Sequence, residues 1–153
     1  MKPSDVKKED TFHFEMTASY SELERFYEEF ESSEACRRMP AAHGLAVKLS
    51  FDELVSNVIK FAGEKGFRII LDLYYHPVHG LQITLEDNSP AFDPWAAQLA
   101  PNLGHETEED DLEEVAIGGR GLFMVRQMMD SASHSVVNGW NCNIMTKSAP
   151  AKL

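Results

Sequence analysis

The chain has 153 residues, of which 43% are apolar and 25% are charged, and these proportions are ordinary for a globular protein with one buried core. Its formal net charge of −11 argues against nucleic acid as a partner, because proteins that bind phosphate backbones carry an excess of basic residues. No apolar run is long enough to cross a bilayer and the N-terminus has no apolar signal core, so we expect one cytoplasmic domain over residues 1–153, with its core in residues 11–147.

The first third of the chain predicts one strand and two helices. Alternating apolar and polar residues over 11–17 predict a half-buried strand. An amphipathic helix follows, because apolar residues recur at helical spacing from Leu23 to Phe30. Pro40 can begin a longer helix, over about residues 41–62, and glycines end it. The predicted buried stripe of this long helix consists of Val47, Phe51, Leu54, Val55, Val58 and Ala62.

Two polar residues of the long helix, Glu53 and Asn57, are four positions apart and therefore share one face among apolar neighbours. A carboxylate and a carboxamide are costly to bury without partners. The carboxylate can take a proton, and the amide oxygen can bind a hard cation such as Mg²⁺. The same spacing is typical of a solvated helix face, so the pair alone leaves both interpretations open.

Two segments of alternating apolar residues, 67–75 and 81–86, predict an antiparallel hairpin with its turn at residues 76–80. The second strand ends in D-N-S-P-A-F-D-P, residues 87–94. An aspartate at a strand end, followed by turn-forming residues, is a usual place for a ligand group. A plain turn is the alternative that this segment leaves open.

Residues 95–117 show no sustained periodicity beyond a short helical piece near Trp95. Seven of the 25 acidic residues of the chain lie within residues 106–114. An irregular connection of this length is often a lid or a binding loop, although a solvated loop has the same composition. Three glycines, Gly118, Gly119 and Gly121, come next.

These glycines precede a helical pattern in which Leu122, Val125 and Met129 share one side. Glycines at the start of a helix let backbone N–H groups approach an anion closely. Two final strands, residues 133–137 and 140–147, follow the helix. We therefore predict an α/β fold, a two-layer sandwich of a mixed, mostly antiparallel sheet of about five strands with helices on one face.

Three motifs occur in an informative order: E-x-x-x-N on a helix, D-N-S-P-x-F-D-P at a strand end and G-G-R-G-L-F-M-V-R at a helix start. In these motifs the chain resembles the ATP-binding domains of the GHKL superfamily. That superfamily comprises the gyrase B subunit, ninety-kilodalton heat-shock chaperones and sensor histidine kinases, which share the Bergerat-type fold. Within it, the chain is most similar to the bacterial anti-sigma-factor serine kinases. The resemblance covers roughly residues 11–147.

The resemblance implies a role for each motif. Glu53 corresponds to the catalytic base and Asn57 to the amide that binds Mg²⁺. Asp87 corresponds to the acid that accepts a hydrogen bond from the exocyclic amine of adenine, which would select ATP over GTP. The glycines correspond to the loop that lets a lid, about residues 99–117, close over the phosphates. The nucleotide-binding residues that it implies are Asn57, Lys60, Asp87, Phe92, Gly118, Gly119, Arg120, Gly121 and Leu122.

The implied function is that of an ATP- and Mg²⁺-dependent protein-serine kinase acting as an anti-sigma-type regulator. Such a protein binds a sigma factor, phosphorylates a serine on a small antagonist protein and commonly forms a homodimer. The alternative is a non-catalytic switch, in which nucleotide binding orders the lid and the ordered surface binds a partner. Two features keep the alternative open: Ser89 replaces a usual glycine, and an acidic lid is unfavourable beside a polyphosphate unless it faces outward or a basic partner.

Overall fold

The structure, a computed structural model, describes residues 6–63, 65–96 and 121–151. A five-stranded sheet forms one layer and the helices form the other. No helix among the described residues is long and apolar enough to cross a membrane. After a short 3-10 helix (Lys8–Asp10), the elements are β1 (Thr11–Thr17), α1 (Tyr20–Glu31), α2 (Glu34–Arg38), α3 (Ala41–Ala62), β2 (Arg68–His76), β3 (Gly80–Asp87), α4 (residues 121–128), β4 (Ser131–Val137) and β5 (Trp140–Lys147).

The helices show how local sequence sets their ends. Helix α3 follows Pro40, whose φ of −59° suits the start of a helix, and it ends at Gly63, whose φ is +82°. A left-handed backbone at that position favours glycine, and the predicted range 41–62 is confirmed. Helix α2 is not predicted, because five residues are too few to show a helical period. Its N-terminus is capped by Ser33, whose Oγ accepts a hydrogen bond from the backbone N–H of Cys36 at 3.1 Å.

The strand order is β1-β2-β3-β5-β4, and every pair of neighbours among the described strands is antiparallel. The predicted α/β sandwich is confirmed, and its sheet is antiparallel rather than mixed across these pairs. The register of the β1–β2 pair shows how the chain returns to the sheet after the helices. Thr17 at the end of β1 lies opposite Arg68 at the start of β2, so the three intervening helices return the chain to the end of the sheet at which β1 finishes.

An aromatic cluster joins the helical layer to the sheet. The ring of Phe26 on α1 stacks on Phe51 of α3 with the centroids 3.9 Å apart, and it meets Phe14 of β1 edge-on at 5.6 Å. All three side chains are buried. Burying one such side chain contributes about 1.5–3 kcal/mol, so this cluster strongly favours one position of α3 on the sheet. The C-terminal half of α3, with Glu53 and Asn57, then lies beside the end of β3.

Candidate functional site

A cavity of about 250 Å³ lies between the C-terminal half of α3, the end of β3 and the beginning of β5. Most of its wall is apolar, and a few amide and carboxylate groups converge on it, as is usual in sites for small molecules. Asn57 enters from α3, Asp87 from the end of β3, and Phe92 from the loop that follows. The structure therefore brings these three predicted residues together, although Asp87 and Phe92 follow Asn57 by 30 and 35 positions in the sequence.

 The hairpin of β2 and β3 lies between Asn57 and Phe92 in the sequence and returns the chain to this cavity.

Asp87 is held at the floor of this cavity by donors that all meet one of its oxygens. Its Oδ1 accepts hydrogen bonds from the backbone N–H and the Oγ–H of Ser89 and from the Nδ2 of Asn141. Ser89 does not have a positive φ; among the described residues, Asn138 is the only non-glycine residue that does. The serine in place of the usual glycine therefore causes no backbone strain, and its hydroxyl adds a donor to the carboxylate.

Asn57 carries a buried polar atom without a partner. The residue is 8% exposed, and its Nδ2 makes no hydrogen bond to any other part of the described chain. Leaving such a group unsatisfied costs about 1–3 kcal/mol, so its position on the cavity wall is expected for a residue that binds a ligand. A carboxamide also carries an oxygen that can bind a hard cation such as Mg²⁺.

Glu53 lies one helical turn before Asn57 and contacts the start of α4. A Cβ atom placed on Gly121 would lie 1.9 Å from the Cδ of Glu53, so any larger residue at position 121 would require the Glu53 carboxylate to move. Burial raises the pKa of the half-buried Glu53, the charge of Asp52 adds to this effect, and Lys60 opposes it. A carboxylate with a raised pKa is a better proton acceptor near neutral pH.

The other predicted residues lie in different surroundings. Lys60 is exposed, with its Nζ 5.6 Å from the centroid of the Phe61 ring. The rings of Phe61 and Phe92 both line the cavity, with centroids 6.3 Å apart. Leu122 is buried in the hydrophobic core. Four predicted features lie outside the described residues: Gly118, Gly119, Arg120 and the lid at about residues 99–117.

Two cavity residues on β5, Asn141 and Asn143, are absent from the prediction. They are 2% and 4% exposed and share the buried face of β5 with Met145, which is fully buried, so buried and partly buried residues alternate along the strand. The signal that could have found them is this alternation, because amides that share a face with a core methionine are costly to bury unless hydrogen-bonded. Asn143 also ties the segment after the cavity to the sheet, since its Oδ1 accepts a hydrogen bond from the Nε1–H of Trp95 at 3.1 Å.

Residues 16–147 match the family of histidine kinase-like ATPase domains. The chain belongs to this family. The match runs from the end of β1 to the end of β5 and so includes every residue that lines the cavity. Membership of this family implies that the protein binds ATP.

One curated protein shows a similar sequence over most of this histidine kinase-like ATPase domain. It is the serine/threonine-protein kinase BtrW of Bordetella bronchiseptica, which is 29% identical over 115 residues. The aligned residues make up 74% of this chain and 77% of that protein.

Proposed function

We propose that the protein is an ATP-dependent protein-serine kinase. The observation that carries the proposal is the position of Glu53, a half-buried carboxylate against the start of α4 and one helical turn from Asn57. Membership of the histidine kinase-like ATPase family and similarity to a serine/threonine-protein kinase support the same activity.

Different residues around the cavity would bind the base and the phosphates of the nucleotide. Asp87 leaves its Oδ2 for the exocyclic amine of adenine, and Phe61 and Phe92 give the base apolar walls. Asn57 would hold Mg²⁺ through its Oδ1. The bound cation offsets negative charge on the phosphates. Placement of the nucleotide by these groups accounts for much of the rate that phosphoryl transfer needs.

Glu53 then acts on the acceptor. Its carboxylate takes the proton of the serine hydroxyl as the hydroxyl oxygen forms a bond to the γ-phosphorus of ATP. The bond from that phosphorus to the β–γ bridging oxygen breaks, and its electron pair leaves with ADP. The raised pKa of Glu53 suits this step, because proton transfer is most efficient when the pKa of the base is near the working pH.

The proposal extends to an anti-sigma-type regulator in the cytoplasm, which binds a sigma factor and phosphorylates a serine on its antagonist. The order of the three motifs and the similarity to a serine/threonine-protein kinase support this extension. We also expect a homodimer. The acidic residues at 106–114 would face away from the phosphates or toward a basic partner.

A capture experiment tests the function. Partners are pulled down from lysate with ATP and Mg²⁺, identified, purified and incubated with the protein and labelled ATP. We expect a phosphoserine on a captured protein, with Glu53→Gln retaining nucleotide binding but losing transfer. Transfer at the native rate by Glu53→Gln would show that Glu53 is not the base. ATP-dependent capture without any transfer by the native protein would instead support the non-catalytic switch.

A further inference from the structure

Asn141 lies opposite Asp87 in the sheet, because β3 and β5 pair in the register that places these two residues side by side. Its buried side chain points at the carboxylate and at the loop after β3. The Nδ2 is 3.0 Å from the Oδ1 of Asp87, 3.1 Å from the carbonyl oxygen of Ser89 and 3.2 Å from that of Pro90. All three neighbours are acceptors, so the nitrogen rather than the oxygen must face them.

The side-chain oxygen of Asn141 is also held by two hydrogen bonds. The Oδ1 of Asn141 accepts hydrogen bonds from the backbone N–H of Phe92 at 3.0 Å and from the Nε2 of His134 at 2.8 Å. A backbone N–H can only donate, so the flipped amide would place two donors against each other. The orientation of Asn141 therefore follows from its surroundings, and its Nδ2 is committed to Asp87.

This arrangement decides which oxygen of Asp87 is available to a ligand. With Asn141 and both donors of Ser89 on Oδ1, that oxygen has no room for a further donor. The Oδ2 accepts none of these three hydrogen bonds, and Asp87 lines the cavity. An ionised carboxylate oxygen accepts an amine and repels a carbonyl oxygen, so fixing its direction sets which purine fits.

We propose that Asn141 is the positioning residue of the base pocket, which holds Asp87 so that the site selects a purine with an amino group at position 6 and rejects one with an oxygen there. His134, from the edge strand β4, holds Asn141 in turn through its Nε2. This inference rests on the proposed nucleotide site and adds the residues that determine its specificity.

The experiment compares ATP with inosine triphosphate, which has an oxygen in place of the 6-amino group. Dissociation constants for both, with Mg²⁺, are measured on the full chain and on Asn141→Leu, which has a similar size but no polar atoms. We expect the native protein to bind ATP about 100-fold more tightly than inosine triphosphate. In the variant this ratio should fall about tenfold, chiefly because ATP binds more weakly. A preference that is unchanged in Asn141→Leu would overturn the inference.

Two further sets of variants separate positioning from structural support. Asn143→Leu removes the neighbouring buried amide, which contacts Trp95 rather than Asp87, and it should change both affinities by the same factor. His134→Gln keeps a donor near the Nε2 position and should keep the preference, whereas His134→Leu should reduce it. If Asn141→Leu does not fold, equal preferences in both His134 variants and the native protein would overturn the proposal. Native protein that binds neither nucleotide would instead overturn the proposed function.

Discussion

The carboxylate of Glu53 lies so close to the backbone of Gly121 that a Cβ atom at position 121 would come within 1.9 Å of its Cδ and 2.0 Å of its Oε2. The contact joins α3 to α4 at the carboxylate that we propose as the base. The position of the carboxylate therefore depends on a residue 68 positions further along the chain, one that has no side chain at all.

We expect Gly121→Ala to impair phosphoryl transfer, because the new methyl group must displace either the Glu53 carboxylate or α4. Displacing a catalytic group by about 1 Å can reduce the rate about 100-fold, and we expect a loss of about ten- to 100-fold in kcat. The measurement is steady-state transfer to the identified acceptor.

Gly44→Ala is the matched control for this substitution. Gly44 also lies in a helix, and its added Cβ would meet the Sγ of Cys36 at 3.8 Å, which is ordinary contact. Alanine favours a helix by about 1 kcal/mol over glycine, so this variant should be as active as the native protein and no less stable. Equal activity of the two alanine variants would contradict the role assigned to the contact between Glu53 and Gly121.

Asn57→Ala should abolish nucleotide binding without lowering the stability of the free protein. The native Nδ2 is buried without a partner, so removing the amide costs the free protein no hydrogen bond from that atom. We expect the melting temperature of the free variant to match or exceed that of the native protein, whereas the rise that ATP with Mg²⁺ causes should disappear. Thermal melts with and without nucleotide measure both, and a native-sized shift in the variant would contradict the assignment.

The raised pKa of Glu53 predicts a particular dependence of stability on pH. The folded protein binds this proton more tightly than the unfolded chain does. The free energy of unfolding should therefore decrease as pH rises from the ordinary glutamate pKa through the raised value. Glu53→Gln, which resembles the protonated form, should be more stable than the native protein at neutral pH, and this difference should diminish toward low pH.

Urea unfolding of native protein and variant from about pH 4 to about pH 8 measures this difference. Glu24→Gln, on the exposed side of α1, is the control, and its effect should stay within about 0.5 kcal/mol at every pH. A difference for Glu53→Gln that does not vary with pH would show that its carboxyl is not perturbed.

The aromatic cluster predicts a large difference between two Phe→Ala substitutions. Phe26 is fully buried and stacks on Phe51, so Phe26→Ala should lower the free energy of unfolding by about 3–5 kcal/mol. Phe61 is 69% exposed, and Phe61→Ala should change it by less than about 0.5 kcal/mol while weakening ATP binding at the cavity. Chemical denaturation and nucleotide titration of both variants test the pair, and similar losses of stability would contradict it.

Local sequence predicts the individual helices and strands better than it predicts which of them become neighbours in the fold. The bounds of α3 can be predicted because Pro40 and Gly63 have backbone requirements of their own. Helix α2 cannot, since five residues do not complete two turns. The antiparallel pairing of β3 with β5 involves segments more than 50 positions apart, and no local pattern specifies which distant strand becomes a neighbour.

The same limit applies to the site. Asn57 and Asp87 could be proposed as partners from the order of three motifs, because their residue types have recognisable chemistry. Asn141 and His134 belong to no motif, and their importance depends on the register that sets Asn141 beside Asp87. The predictions for Gly118, Gly119 and Arg120 lie outside the described residues and stay predictions.

The hydrogen bond from Trp95 to Asn143 has a practical consequence. The indole is 9% exposed, it is bonded to a residue of the cavity wall, and the chain has only two tryptophans. Because indole fluorescence responds to the polarity around the ring, Trp95 is an intrinsic optical reporter of the cavity. Replacing Trp140 with phenylalanine would leave a single fluorophore, whose emission could follow nucleotide entry and departure in real time without any label.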